Sequence, residues 1–178
     1  RLHDRSIDFH IIIGNHDVPY RNTNDVNSMK ELFGGYKDDF VSFYDSAAEV
    51  EFDGCNILFV PWINSENYED TMSKIKSTKS EILFGHLEIS GFEMQQGIYT
   101  DEGLQPALFK DFDMVCSGHF HHRNTRHNIT YLGCPYQITW ADYDNSKGFH
   151  IFDTNTRELT FIPNPYKMFY KVWYDDKD

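Results

Sequence analysis

Cysteine is scarce in this 178-residue chain: Cys55, Cys116 and Cys134 are sparse and odd in number. That usage argues against a disulfide framework and fits a reducing compartment such as the cytoplasm. No Cys-x-x-Cys pair occurs, so a zinc ribbon is not expected. Long hydrophobic runs are missing too. None approaches the roughly 18 residues of a membrane span, and no signal-peptide pattern opens the sequence, so no membrane role is expected. The Asn128-Ile-Thr130 sequon is therefore read as coincidence. Excess positive charge is also lacking: 16 Lys and Arg face 28 Asp and Glu, a formal net charge of −12. Proteins that grip DNA through its backbone normally bring a basic face, because neutralising phosphates releases counterions. Any nucleic-acid role here must rest on metal ions, local Lys/Arg clusters or a partner.

What is present is globular. Hydrophobic residues make up 40% and aromatics 16%, and the length suits one domain with a sizeable core. The order is mixed α and β. "IDFHIII" (7–13) predicts a strand, and "NDVNSMKELFGG" (24–35) a helix with caps at its front and glycines at its end. "AAEVEF" and "NILFVPW" flank Asp53-Gly54, the strongest short hairpin signal. Residues 65–80 read as a polar, exposed helix. "EILFGH" (81–86), "FDMVCSGH" (112–119) and "ITYLGC" predict further strands, and "GFHIFDTNTRELTFIP" a terminal hairpin around "DTNT". The chain starts at Arg1 and enters a strong strand almost at once, so it reads as a domain entered partway through.

"SGHFHHR" (117–123) places three histidines within seven positions, and His-x-His alone is weak evidence of a metal. Three strands, however, end alike: "IIIGNHD", "ILFGH" and "MVCSGHFHH". In open α/β sheets, ligands bind where the carboxyl ends of strands bring their loops together. A glycine before the polar residue permits a tight turn or a close backbone approach. Asn15, His16, His86, His119 and His121 could thus converge in one crevice. Imidazole and amide oxygen suit a divalent transition metal, and a mixed N/O set fits two-metal hydrolysis of phosphate esters. A lone histidine at a strand end is ordinarily a hydrogen-bonded structural residue. That reading applies to His3, His10, His127 and His150. The "FVPW" and "TWADY" aromatics read as core or sheet packing, and "YDDKD" as a solvated tail.

"GNHD", "GHLEISG" and "GHFHH", in that order, resemble three motifs of the calcineurin-like metallophosphoesterases. "FDMVCSGHFHH" with "YLGCPYQITWADYDNSKGFHIFD" is similar to the SbcD-type nuclease branch. "VEFDGCNILFVPW" and "TFIPN" look like the small subunit of a phage recombination endonuclease. The resemblance covers nearly the whole chain. It implies an α/β fold, a metallophosphoesterase-type layered β-sandwich flanked by helices. That domain would span 1–162, with 163–178 starting a connection to a capping or partner-binding region. Asn15, His86 and His119 would bind one ion and His121 the other. His16 would stabilise the transition state or protonate the leaving oxygen without binding metal; an imidazole can change charge near neutral pH. Asp17 would hold that imidazole or satisfy the turn, while His122 and Arg123 fall outside the motif, Arg123 reading as solvated.

The family's earlier Asp-x-His and Gly-Asp motifs do not precede "GNHD" here: "LHD" (2–4) has the wrong order. The expected domain therefore lacks its first βαβ portion, and with it ligands of the first ion. For the complete protein the resemblance implies two divalent ions, Mn²⁺ foremost. It also implies a DNA substrate, an SbcC-type ATPase partner and the host cytoplasm if phage-encoded, and leaves a homodimer open. The expected activity is a DNA exo/endonuclease in recombination or repair. Two alternatives stand beside it: a phosphatase or cyclic-nucleotide phosphodiesterase of the same superfamily, and a non-catalytic scaffold with vestigial ligands. The expected fold also places "IDFHIII" in one sheet with "EILFGH" and "FDMVCSGH".

Overall fold

A computed structural model describes residues 2–34, 40–95 and 97–175. The strands are β1 (Phe9–Ile12), β2 (Val41–Tyr44), β3 (Ala48–Phe52), β4 (Cys55–Val60), β5 (Ile82–Gly85), β6 (Glu93–Gln95) and β7 (Ile98–Tyr99). They continue with β8 (Met114–Ser117), β9 (Asn124–Arg126), β10 (Ile129–Tyr131), β11 (Gly148–Phe152) and β12 (Leu159–Pro163). Among the described residues, two α-helices join them, α1 (Ser28–Phe33) and α2 (Tyr68–Ser77). The molecule is an α/β protein built on a mixed six-stranded sheet of order β3-β4-β5-β8-β10-β9.

Its four interior strands run parallel, and only the edge strands β3 and β9 are antiparallel to their neighbours. Interior parallel strands are covered on both faces, so they read as continuous apolar runs; "CNILFV" is buried at every position but Asn56. Alternation divides these residues between two cores. Leu58, Val60, Leu83 and Val115 face one cluster with Phe92, Phe109, Ile129 and Tyr131. Ile57, Phe59 and Ile82 face the other, against Ile12 and Tyr44 from the β1–β2 pair and Phe152 from β11.

The local signals act where expected. Asn27 caps α1 by accepting from the Lys30 N–H at 2.9 Å. Asp53 and Gly54 take φ of 51° and 82°, the paired left-handed conformation of a two-residue hairpin turn. Gly35, the second glycine of the expected α1 stop, lies outside the described residues.

Two expectations are overturned. β1 does not enter the central sheet; it pairs in parallel with β2 in a separate two-stranded ribbon. "VSFY" satisfies the β1 backbone locally and lays the ribbon's apolar face over the Ile57–Phe59 side of the sheet. The helix read as polar and exposed over 65–80 runs over Tyr68–Ser77 and buries Thr71, Met72 and Ile75. Met72 and Ile75 join the core cluster, and with the buried Thr71 they are enough to anchor a ten-residue helix whose other faces are charged. Residues 164–175 carry no helix or strand.

Tyr131 ties the core to the site. Its fully buried ring stacks on Phe120 at 4.5 Å. Its hydroxyl donates to the Leu87 carbonyl and accepts the Ile89 N–H, each at 2.9 Å. Tyr131→Phe strands the Ile89 N–H in the core and leaves the Leu87 carbonyl with only a long bond from Ser117, and the expected cost is about 2 kcal/mol in urea unfolding. An unchanged unfolding midpoint would show that the hydroxyl is not what holds this segment.

Candidate metal centre at the carboxyl ends of the strands

Because β4, β5 and β8 are parallel, their carboxyl ends deliver Trp62, His86 and His119 to one edge of the sheet. β1 reaches the same edge from its ribbon: the Trp62 N–H donates to the Ile13 carbonyl at 2.8 Å. Asn15 and His16 follow directly. Asp17 turns back so that its carboxylate accepts the Gly14 N–H at 2.7 Å, the turn-satisfying role among the two considered for it.

His86 is the centre of the group. Its Nε2 lies 2.8 Å from the Asn15 Oδ1, and its ring centroid lies 5.1 Å from that of His119. The glycines beside the motif residues explain the closeness. A Cβ on Gly14 would stand 2.8 Å from the His86 Cε1, and one on Gly118 would stand 3.3 Å from its Nδ1. These glycines permit close approach rather than a left-handed turn. Ser117 and Tyr131 fix the chain just after His86: the Leu87 N–H donates to the Ser117 Oγ at 2.9 Å. Gly14→Ala forces the His86 ring to move. The expected result is a displaced His86 signal in histidine-labelled NMR spectra, with about 1–3 kcal/mol of overpacking. An unmoved signal would mean that the backbone yields instead.

Burial first, then the charges of His119 and His16, lower the His86 pKa to about 4. Burial, His16 and His121 act on His119 in the same direction. Both imidazoles are thereby kept neutral near pH 7, the form that coordinates a cation. His119 takes a left-handed φ of 78°, costly for a non-glycine residue and concentrated at functional sites. The indole of Trp62 packs on it, with centroids 5.3 Å apart.

Asn15, His16, His86 and His119 therefore share one group. His121 lines a cleft with His119, Glu88, His122 and Asp142, near enough for its charge to act on His119. His16 is exposed on the rim, beside Asn15 and Trp62. The donor chemistry fits a divalent ion. Ligands about 2.1 Å from one tetrahedral ion lie about 3.4 Å apart, so an ion would part Asn15 and His86 slightly from their present 2.8 Å. Among the described residues no three His, Cys, Asp or Glu side chains gather around one point, so the sphere is partial.

His122 is held away from the group, 3.3 Å from Glu93 and 2.7 Å from Asn145. The guanidinium of Arg123 is stacked on Phe161 at 4.1 Å and is not simply solvated. His10 is structural, bonded to the Tyr44 hydroxyl at 2.7 Å. His127 sits in the β9–β10 turn, and the His150 ring packs against Phe161. The His3 side chain and residues 176–178 of the expected tail lie outside the described residues. Trp62, expected as packing, proves to be a wall of the site. Glu88, Asp142 and Lys147 were missed as neighbours, since nothing in their local spacing marks them.

No family model matches the chain. It is 38% identical over 163 residues to exonuclease subunit 1 of Enterobacteria phage T4, covering 92% of this chain and 47% of that protein. It is 33% identical over 109 residues to the SbcD subunit of the SbcCD nuclease of Staphylococcus epidermidis, covering 56% of this chain and 29% of the relative. The SbcD subunit of Staphylococcus saprophyticus is 32% identical over 98 residues, 50% of this chain and 26% of the relative. The chain thus spans less than half the length of the curated relatives it matches. By sequence, the chain is a homologue of these phage exonuclease and SbcCD nuclease subunits over the part of their length that it spans.

Proposed function

We propose that this chain forms the metal-binding part of a DNA exo/endonuclease subunit that hydrolyses phosphodiester bonds. The observation that carries the reading is the meeting of Asn15 Oδ1 and a neutral, half-buried His86, with His119 against them, at the carboxyl edge of a parallel sheet. Asn15, His86 and His119 would hold one divalent ion and His121 a second, Mn²⁺ being the ion we favour for both. When bound, such ions activate water and neutralise charge developing on phosphate oxygens. His16, exposed on the rim, would protonate the departing oxygen. The ribbons and helix packed on the two faces of the sheet suit a metallophosphoesterase-type layered sandwich. Residues 1–162 would form that domain, and 163–178 would lead on to a capping or partner-binding region. The kinship with nuclease subunits supports DNA as substrate and an SbcC-type ATPase as partner, in recombination or repair within the cytoplasm. A homodimer belongs to the same reading. No helix among the described residues is long and apolar enough to cross a membrane.

Calorimetry with Mn²⁺ on the 178-residue chain tests the metal assignment. The expected result is at most one tightly held ion, because the ligands gathered around His86 outnumber those beside His121. Affinity should fall as pH drops toward 4, where the His86 imidazole protonates. Two equivalent tight sites would contradict this division of ligands.

A further inference from the structure

Lys147 immediately precedes β11, and almost none of it reaches solvent: it is 5% exposed. Its ammonium donates to the His121 carbonyl at 2.6 Å and pairs with the Asp142 Oδ1 at 2.6 Å. Asp142 is equally buried and held from its other side. Its Oδ2 accepts the N–H groups of Ile138 and Thr139, each at 3.0 Å, around the short 3-10 turn Trp140–Asp142. Gln137 closes the network, donating to the Asp142 carbonyl at 2.8 Å while accepting the N–H of Met168 at 2.9 Å.

A buried ion pair is weak evidence for stability, because desolvation offsets most of the attraction and apolar replacements are often neutral. Its value must be sought in what it fixes. Here that is the backbone of His121, in a segment, residues 118–123, without regular strand or helix. No neighbouring strand sets the orientation of that peptide; the ammonium does. Gly133, at φ 74°, lets the opposite chain approach closely, since a Cβ there would lie 3.3 Å from the same carbonyl oxygen.

We infer that Lys147 is a positioning residue for His121, holding its peptide so that the imidazole is presented to the cleft beside His119 and Glu88. The inference rests on the reading of His121 as a metal-binding residue. It concerns a residue that never touches the ion or the substrate.

The test uses histidine-labelled NMR on the full protein, with Mn²⁺ alone as the probe. Lys147→Met leaves Asp142 buried and unpaired and can fail to fold. Lys147→Met/Asp142→Asn removes both charges and keeps an acceptor for Ile138 and Thr139. In that double variant the metal-free His121 signal should shift while that of His86 stays. The Mn²⁺ concentration that half-broadens His121 should rise at least about 10-fold, as for other groups that orient ligands from behind. The His86 response should not change. A folded double variant with an unmoved His121 signal would overturn the inference. If Mn²⁺ leaves His121 untouched in the unsubstituted protein while the double variant still displaces its signal, the metal-binding reading fails and the positioning contact stands.

Discussion

Replacing His16 with alanine in the full-length protein is expected to lower the turnover of DNA cleavage about 100-fold or more, the range for losing a general acid, while leaving bound metal unchanged. The reason is positional. Asn15, one residue earlier, turns inward to His86, so His16 at the turn is presented outward and is exposed on the rim. It remains close enough for its charge to bear on both His86 and His119. A residue so placed can reach an oxygen leaving the cleft without occupying a ligand position. Loss of turnover at constant metal content, with the Michaelis constant little moved, marks a role confined to the transition state. Metal released from the variant would make His16 a ligand, and unchanged turnover on DNA ends would remove it from the chemistry.

Acid should destabilise the metal-free fold well before the carboxylates titrate. The folded His86 pKa lies near 4, below the ordinary 6.5, so between those values the unfolded chain binds the extra proton. Stability is therefore complete above about pH 6.5 and is lost as pH falls toward 4. A depression of that size corresponds to about 3 kcal/mol at its full extent. His119 acts in the same direction, again first through burial. Burial of His150, reinforced by Arg123, adds to the trend. Asp142 works in a lower window. Burial opposes its ionisation, but the bonds from Lys147, Thr139 and Ile138 outweigh it and leave the pKa depressed, so its contribution is lost only as pH falls below the usual carboxylate range. Urea unfolding in a chelator at pH 7 and pH 4.5 measures the difference. His86→Gln, which retains an amide partner for Asn15, should flatten the slope. Equal stability at the two pH values would show that His86 is solvated enough to protonate in place.

The meeting of Asn15, His86 and His119 was legible because these residues are written in contiguous motifs. "GNHD", "GH" and "GHFHH" each sit where a strand ends, and a strand's end is a local property of apolar run, glycine and polar residue. The Asp53-Gly54 hairpin and the Asn27 cap were legible for the same reason: each is a contact between residues three or fewer apart. Trp62 was not legible as part of the site. An aromatic after an apolar strand has the same local pattern whether it faces a core or a histidine. Its contact with His119 exists only because β4 and β8 flank β5 in the same direction.

What the sequence determined by itself was the order of the asparagine and histidines at the strand ends, together with the apolar runs that must be buried on both faces of a parallel sheet. What only the tertiary structure decided was pairing over long separations. β1 took "VSFY" as its partner instead of a central strand. α2 found Met72 and Ile75 with which to reach the core. Lys147 and Asp142 met beneath His121. A strand's edge offers the same N–H and C=O groups to any partner, and a buried charge accepts any counter-charge that desolvates with it. Neither choice is encoded in neighbouring residues, because both are settled by which surfaces the packed chain finally brings together.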